Sequence, residues 1–185
     1  MTVLIEWLRQ KNRQRLERRN SSRRPKGPNP CKGIDFDEKV SPDAIQLPTS
    51  DNPEVSIIIP GYGKADYTLR CLKSLMTSGI GSRFEVLVVE DASGDRSAEA
   101  LRQVEGIQLV WNDENLGFLR SCNKAVAMSK GEFIYLLNND TIVTPGAVNA
   151  LVNAARMRPD AGILGSKLIY PNGSLQGRRR GLVQW

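Results

Sequence analysis

The chain has 185 residues, 40% hydrophobic and 25% charged, which is room for one α/β domain of ordinary size plus a tail. It contains no histidine, which excludes Ser-His-Asp and Cys-His catalysis and any His-ligated zinc site. The formal charge of +6 is unevenly placed: residues 1–33 carry ten Lys/Arg against two Asp/Glu, whereas residues 34–185 carry sixteen against eighteen.

Residues 1–20 have the pattern of a helix, with Val3, Leu4, Trp7 and Leu8 toward one side and a run of arginines after them. Ser21 to Pro30, rich in Ser, Pro, Gly and Arg, ends any regular structure. By composition residues 1–33 read first as a solvated, disordered basic tail. A second reading is contact with an anionic membrane surface, Trp7 and the leucines dipping in while arginines face headgroups. Nucleic-acid binding is the weakest, because no recognised motif or aromatic interleaving accompanies the charge. No stretch approaches the roughly 20 apolar residues of a membrane span, and the N-terminus lacks the pattern of a signal peptide. Residues 34–53, polar and Pro-containing, read as a linker.

From Glu54 the character changes. Val55 to Ile59 is a β-branched apolar run closed by Pro60-Gly61, the pattern of a buried strand and a turn. Leu69, Leu72, Leu75 and Met76 mark a helix from Tyr67 to Met76. A second strand is predicted over Phe84–Val89, a short helix over Ala98–Val104 and a third strand over Ile107–Trp111. Asn115-Leu116-Gly117 opens another helix, with Phe118, Cys122 and Val126 on one face. Phe133–Leu137 is the fourth strand. Pro145–Met157 follows as a helix with Pro145 in its first turn, and Ala161–Tyr170 as a last strand before the turn Pro171-Asn172-Gly173-Ser174. Alternating strands and helices predict an α/β fold with a largely parallel sheet and right-handed crossovers. Cys31, Cys71 and Cys122 are odd in number and widely spaced, which supports neither a zinc knuckle nor a disulfide framework and fits a reducing cytosol. Cys71 and Cys122 read as small buried hydrophobes.

Three strand ends carry unusual polar groups: Pro60-Gly61-Tyr62, Glu90-Asp91 and Asn138-Asn139-Asp140. Alone, each reads as an ordinary turn. In a parallel sheet, however, these ends lie along one edge, where open α/β sheets bind ligands. There Tyr62 would place a ring against a base, an acidic residue of the Glu90-Asp91 pair would accept from a ribose hydroxyl or a base N–H, and Asp140 would hold Mg²⁺ or Mn²⁺ beneath a diphosphate. The dinucleotide fingerprint fails, because Gly61-Tyr62-Gly63-Lys64-Ala65-Asp66 places a carboxylate where the third glycine belongs. No P-loop occurs.

Val55 to Tyr62, Val88 to Asp95, Asn115 to Phe118 with Cys122-Asn123, and Leu136 to Asp140 together resemble the ordered motifs of family-2 glycosyltransferases. Pro171 to Gln176 is similar to a segment found downstream in bacterial members. The resemblance covers roughly residues 54 to 177 and implies a GT-A fold: a Rossmann-like nucleotide-binding half, followed by an acceptor-binding half. It also implies inverting, metal-dependent transfer of a sugar from a UDP- or dTDP-sugar to a hydroxyl of a glycan or lipid-linked acceptor, in cell-surface polysaccharide synthesis. Such an enzyme would work in the cytoplasm or at the inner face of the membrane. By the same resemblance Pro60 and Tyr62 border the nucleobase, Asp91 accepts from it, Asn138 reaches the ribose or sugar, and Asp140 coordinates Mg²⁺ or Mn²⁺. Gly63 stands where asparagine is usual and Asn138 where aspartate is usual, which removes one negative charge from the metal position.

The family's catalytic base lies downstream of this triplet. Here 45 residues follow Asp140 and contain one carboxylate, Asp160, placed as a turn residue. The expectation is a donor-binding half that stops, in the segment 178–185, before its base. Three readings stay open: a transferase completed elsewhere, an inactive nucleotide-sugar-binding fragment, and an unstable fragment with uncovered apolar surface.

Overall fold

The computed structural model describes residues 29, 31–174 and 176. The chain divides into two units, Glu38–Arg156, and Met1–Asp37 together with Met157–Trp185. The helix predicted over residues 1–20 and the segment 178–185 lie outside the described residues, so the readings of the basic tail rest on sequence. No helix among the described residues is long and apolar enough to cross a membrane.

Unit Glu38–Arg156 contains β1 (Val55–Gly61), α1 (Ala65–Thr77), β2 (Phe84–Glu90), α2 (Ser97–Leu101), β3 (Gln108–Trp111), α3 (Gly117–Met128) and β4 (Phe133–Leu136), and α4 (Ala147–Met157) begins in it. The four strands form an all-parallel sheet in the order β3-β2-β1-β4, the predicted α/β architecture. The chain steps from β1 through β2 to β3, then crosses back over β1 to β4. Right-handed crossovers in opposite directions put their helices on opposite faces. Accordingly Leu69, Leu72 and Leu75 of α1, Leu101 of α2 and Val148 and Val152 of α4 pack with Ile57, Ile59, Val86 and Val88. Ala125 of α3 packs with Ile58, Leu87 and Val89 on the other face. Covered on both sides, β1 is a continuous β-branched run, and Ile57, Ile58 and Ile59 are each 0% exposed.

Several expectations are revised. The first strand runs through Pro60 to Gly61 rather than stopping at Ile59. Gly61 O accepts the Asp91 N–H on the β2 side, so Pro60, one residue earlier, directs its nitrogen to the β4 side. There β4 has already ended, its last pair being Ile58 with Leu136. A residue without an N–H is tolerated because the ladder requires none at that point. In α3 the buried residues are Ser121, Cys122 and Ala125, whereas Phe118 and Val126 are exposed. Residues 34–53, expected as a linker, supply Ile45 and Leu47 to the core, and Leu47 N–H donates to Glu105 O.

In the other unit, Ala161–Tyr170 does not form the predicted strand; one bridge position, Ile169, remains. An extended segment needs a partner for its backbone groups. Among the described residues these are met by a hairpin, with Gln176 N–H on Leu168 O and Tyr170 N–H on Ser174 O around the predicted turn.

None of the three cysteines is in a disulfide; Cys71 and Cys122 are buried and Cys31 is half-buried. Burial pushes the Cys71 thiol far up and the Cys122 thiol to about 11. Since the thiolate is the nucleophile, native protein at pH 8 is expected to take up one equivalent of iodoacetamide, at Cys31, and three in urea. Peptide mapping after timed alkylation checks this, and rapid native labelling of Cys71 would contradict it.

Candidate functional site

The carboxyl ends of all four parallel strands lie on one edge, and the strand order reverses between β1 and β4. Open α/β sheets bind their ligands at such a point, outside the carboxyl ends of the strands. The segments that follow β1 and β4 border it, both leading to the α1 face of the sheet.

After β1, Tyr62 is 60% exposed while Pro60 is buried within the strand. Of the two residues predicted to border a base, only Tyr62 presents its side chain to solvent. The next two residues turn sharply, Gly63 at φ +66° and Lys64 at φ +55°. A Cβ on Gly63 would stand 2.7 Å from Asp95 Oδ2, which accepts the Lys64 N–H at 3.0 Å. The glycine at this position therefore has a local cause: an asparagine would collide with the carboxylate that ties the β1 loop to the β2 loop. The hydroxyl and backbone N–H of Ser97, with the Lys64 N–H, hold the Asp95 carboxyl at about 2. Asp66, the residue that spoiled the dinucleotide fingerprint, is paired with Lys39.

After β2, Asp91 is 5% exposed and engaged by its own chain. Its Oδ1 accepts from Asn112 Nδ2 at 2.8 Å and Leu116 N at 2.9 Å; its Oδ2 accepts from Gly117 N at 2.8 Å. The last two donors belong to the start of α3, where backbone N–H groups have no partner within the helix and the dipole favours negative charge. Burial opposes ionisation of Asp91, but Asn112, Leu116, Ser121 and Gly117 outweigh it and hold the carboxyl below its ordinary value. Asp91 was expected to accept from a base; the structure places it first as the cap that joins Asn115-Leu116-Gly117 to the end of β2. Glu90 is buried too, accepting the Ser93 N–H at 2.8 Å.

Asn112 had no place in the sequence reading and is central here. It is fully buried, its amide nitrogen serves Asp91 and Ser121 Oγ, and its Oδ1 accepts from Lys124 Nζ at 2.8 Å. Its only signal in the chain is its place, a polar residue directly after the third strand.

After β4, Leu137 N–H still bonds Ile58 O, and the triplet then turns, with Thr141 N–H on Asn138 O. Asp140 is exposed, while Asn138 and Asn139 are half-buried. Among the described residues no group of three His, Cys, Asp or Glu side chains lies together as a ready-made metal site. One exposed carboxylate beside an amide is a hard-oxygen donor set of the kind that shares Mg²⁺ or Mn²⁺ with substrate phosphates, so the residues present fit an ion brought with a diphosphate. Asp160, in the other unit, is clamped by Arg158 through bonds of 2.9 and 2.8 Å in a turn, and Arg158 lowers its pKa.

Residues 56–184 match the profile described as Glycosyl transferase family 2. The O-antigen biosynthesis protein RfbC of Myxococcus xanthus is 32% identical over 148 residues, covering 75% of this chain and 12% of that protein. Chondroitin synthase of Pasteurella multocida is 32% identical over 110 residues, 55% of this chain and 11% of its own length. The chain thus spans a small part of each of these relatives. Among solved structures, S. aureus TarS 1-349 in complex with UDP-GlcNAc aligns with a TM-score of 0.52 at 21% identity, over 58% of this chain and 32% of that one. That likeness is one of fold.

Proposed function

The chain belongs to glycosyl transferase family 2, and from that premise we propose that the edge at its strand ends binds the nucleoside-diphosphate sugar donor of a glycosyl transfer in polysaccharide synthesis. The observation that carries this reading is the reversal of strand order between β1 and β4, with the exposed Tyr62 directly after β1 and the exposed Asp140 after β4 on the same sheet edge. Tyr62 stacks on the nucleobase. Asp91 offers its carboxylate to a base N–H from an edge that Leu116 and Gly117 already fix. Asn138 faces the ribose or sugar, and Asp140 would hold the Mg²⁺ or Mn²⁺ that accompanies the diphosphate. The cation supplies neutralisation of charge on the departing diphosphate.

In the reaction, the bond between the anomeric carbon and the diphosphate oxygen breaks as a new bond forms to the acceptor oxygen. The nucleoside diphosphate leaves, and the acceptor hydroxyl's proton passes to a base. Attack from the opposite face gives inversion. No described carboxylate is assigned to the proton transfer, since Asp160 is held by Arg158. That clamp favours a second reading for the chain by itself, donor binding without turnover. Both place the chain at a cytoplasmic membrane face where the basic residues 1–33 meet anionic headgroups.

The test is thermal unfolding with UDP or dTDP, each with Mn²⁺ and with EDTA, followed by incubation with UDP- or dTDP-sugars. Nucleotide stabilisation that grows with Mn²⁺ is expected; none in either condition would refute the donor site. Release of nucleoside diphosphate from the sugar donor would exclude binding without turnover.

A further inference from the structure

The middle residue of the triplet has no part in the donor reading, yet its side chain is tied to α1. Asn139 Nδ2 donates to Thr68 Oγ1 at 3.2 Å, and Thr68 is buried on α1. The pair meets against bare backbone: a Cβ on Gly61 would stand 3.4 Å from Asn139 Nδ2 and 3.5 Å from Thr68 Oγ1. One turn further along α1, the Cys71 thiol donates to Asn138 O at 3.7 Å, the carbonyl that also accepts the Thr141 N–H. At the next turn Ser74 Oγ accepts the Val143 N–H at 2.9 Å while donating to Cys71 O.

Thr68, Cys71 and Ser74 are spaced three apart and so form one stripe on a helix. Each bonds the segment from Asn138 to Val143, which has left the sheet and needs other partners for its polar groups. Thr68 and Ser74 are buried polar residues on a helix face that otherwise packs apolar side chains.

We propose that this stripe, keyed by the Thr68–Asn139 bond, is the mount that aims Asp140 at the donor's diphosphate and its cation. Thr68, Cys71, Ser74 and Asn139 are positioning residues, and the assignment rests on the donor reading above. A ligand on a turn delivers affinity only while its support holds it within a fraction of an ångström, and partners one shell out from a metal commonly contribute ten- to hundredfold in affinity.

The experiment measures UDP affinity of the full chain in Mn²⁺ and in EDTA for the unsubstituted protein, T68V, T68S and N139A. Valine keeps the shape of threonine and removes the hydroxyl, leaving the Asn139 amide without its partner. T68V and N139A are expected to weaken UDP binding about tenfold in Mn²⁺ and to leave binding in EDTA unchanged, with T68S restoring the Mn²⁺ effect. N139A, half-buried, carries the test should T68V fail to fold. Equal weakening in both conditions marks a merely structural role and overturns the proposal, as does an unchanged Mn²⁺ effect in folded T68V or N139A. If the unsubstituted chain binds UDP without any Mn²⁺ effect, the metal part of the donor reading falls and the proposal with it.

Discussion

Asp91→Ala is expected to lower the stability of the chain by about 3 kcal/mol, because three N–H donors around a buried carboxylate lose their acceptor together. For a domain of this size that is a fall in Tm of roughly 10 °C. Asp91→Asn keeps the shape but turns an N–H toward the α3 donors, so it should fall between the two. The effect also has a pH signature. The folded pKa of Asp91 lies below its unfolded value, so its stabilisation is complete above the unfolded pKa, near 4, and is lost as pH falls through the folded value. The gap between Asp91→Ala and the unsubstituted chain should therefore be constant from pH 7 to about 5 and close below about 4. Urea unfolding at pH 7, 5 and 3 measures it. A gap under about 0.5 kcal/mol at pH 7 would show that Asp91 does not cap α3 in solution.

Asp140→Ala is expected to do the opposite, leaving the fold nearly intact and removing the metal effect. Asp140 is exposed, and surface substitutions usually cost within about 0.5 kcal/mol. A nucleotide at a hundredfold excess over its Kd stabilises a protein by about 2.7 kcal/mol, or roughly 5–10 °C here. In Mn²⁺, UDP should raise the Tm of the unsubstituted chain by an amount of that order. With Asp140→Ala the rise should shrink to the value seen in EDTA, while affinity in EDTA stays within about twofold. A Mn²⁺ effect that survives the substitution would remove Asp140 as ligand. The contrast between the two variants separates a residue that holds the edge from one that acts at it.

The alternation of strands and helices was legible in the chain because burial on both faces demands apolar runs, which the central strands β1 and β2 supply, while the partly exposed edge strands β3 and β4 are shorter. The polar strand ends were legible for a related reason: an apolar run that stops at Glu90-Asp91 or Asn138-Asn139-Asp140 has reached the end of its sheet, although only Asp140 among these faces solvent. Element ends were less so. Pro60 closes a strand by local rules, yet it sits inside β1 because β4 stops short of it. The exposed Phe118 and Val126 match a helical pattern as well as the buried Ser121 and Ala125 do, and only the sheet beneath α3 decides between them. Ala161–Tyr170 has strand composition and no partner strand among the described residues.

The sequence by itself determined the class of fold, the family and the edge on which the polar groups lie, since these follow from hydrophobic period and from short motifs read along one strand. The tertiary structure alone decided what each polar group does there. Asp91 is joined to Leu116 and Gly117, 25 and 26 residues away, and Asn139 to Thr68, 71 residues away. A hydrogen bond acts over about 3 Å, so its partners are set by where the crossovers bring the loops rather than by neighbours in the chain. For that reason Asp91 proves to be a cap, Asn112 a hub and Asn139 an anchor, while Asp140 keeps the exposed position from which it would meet a ligand.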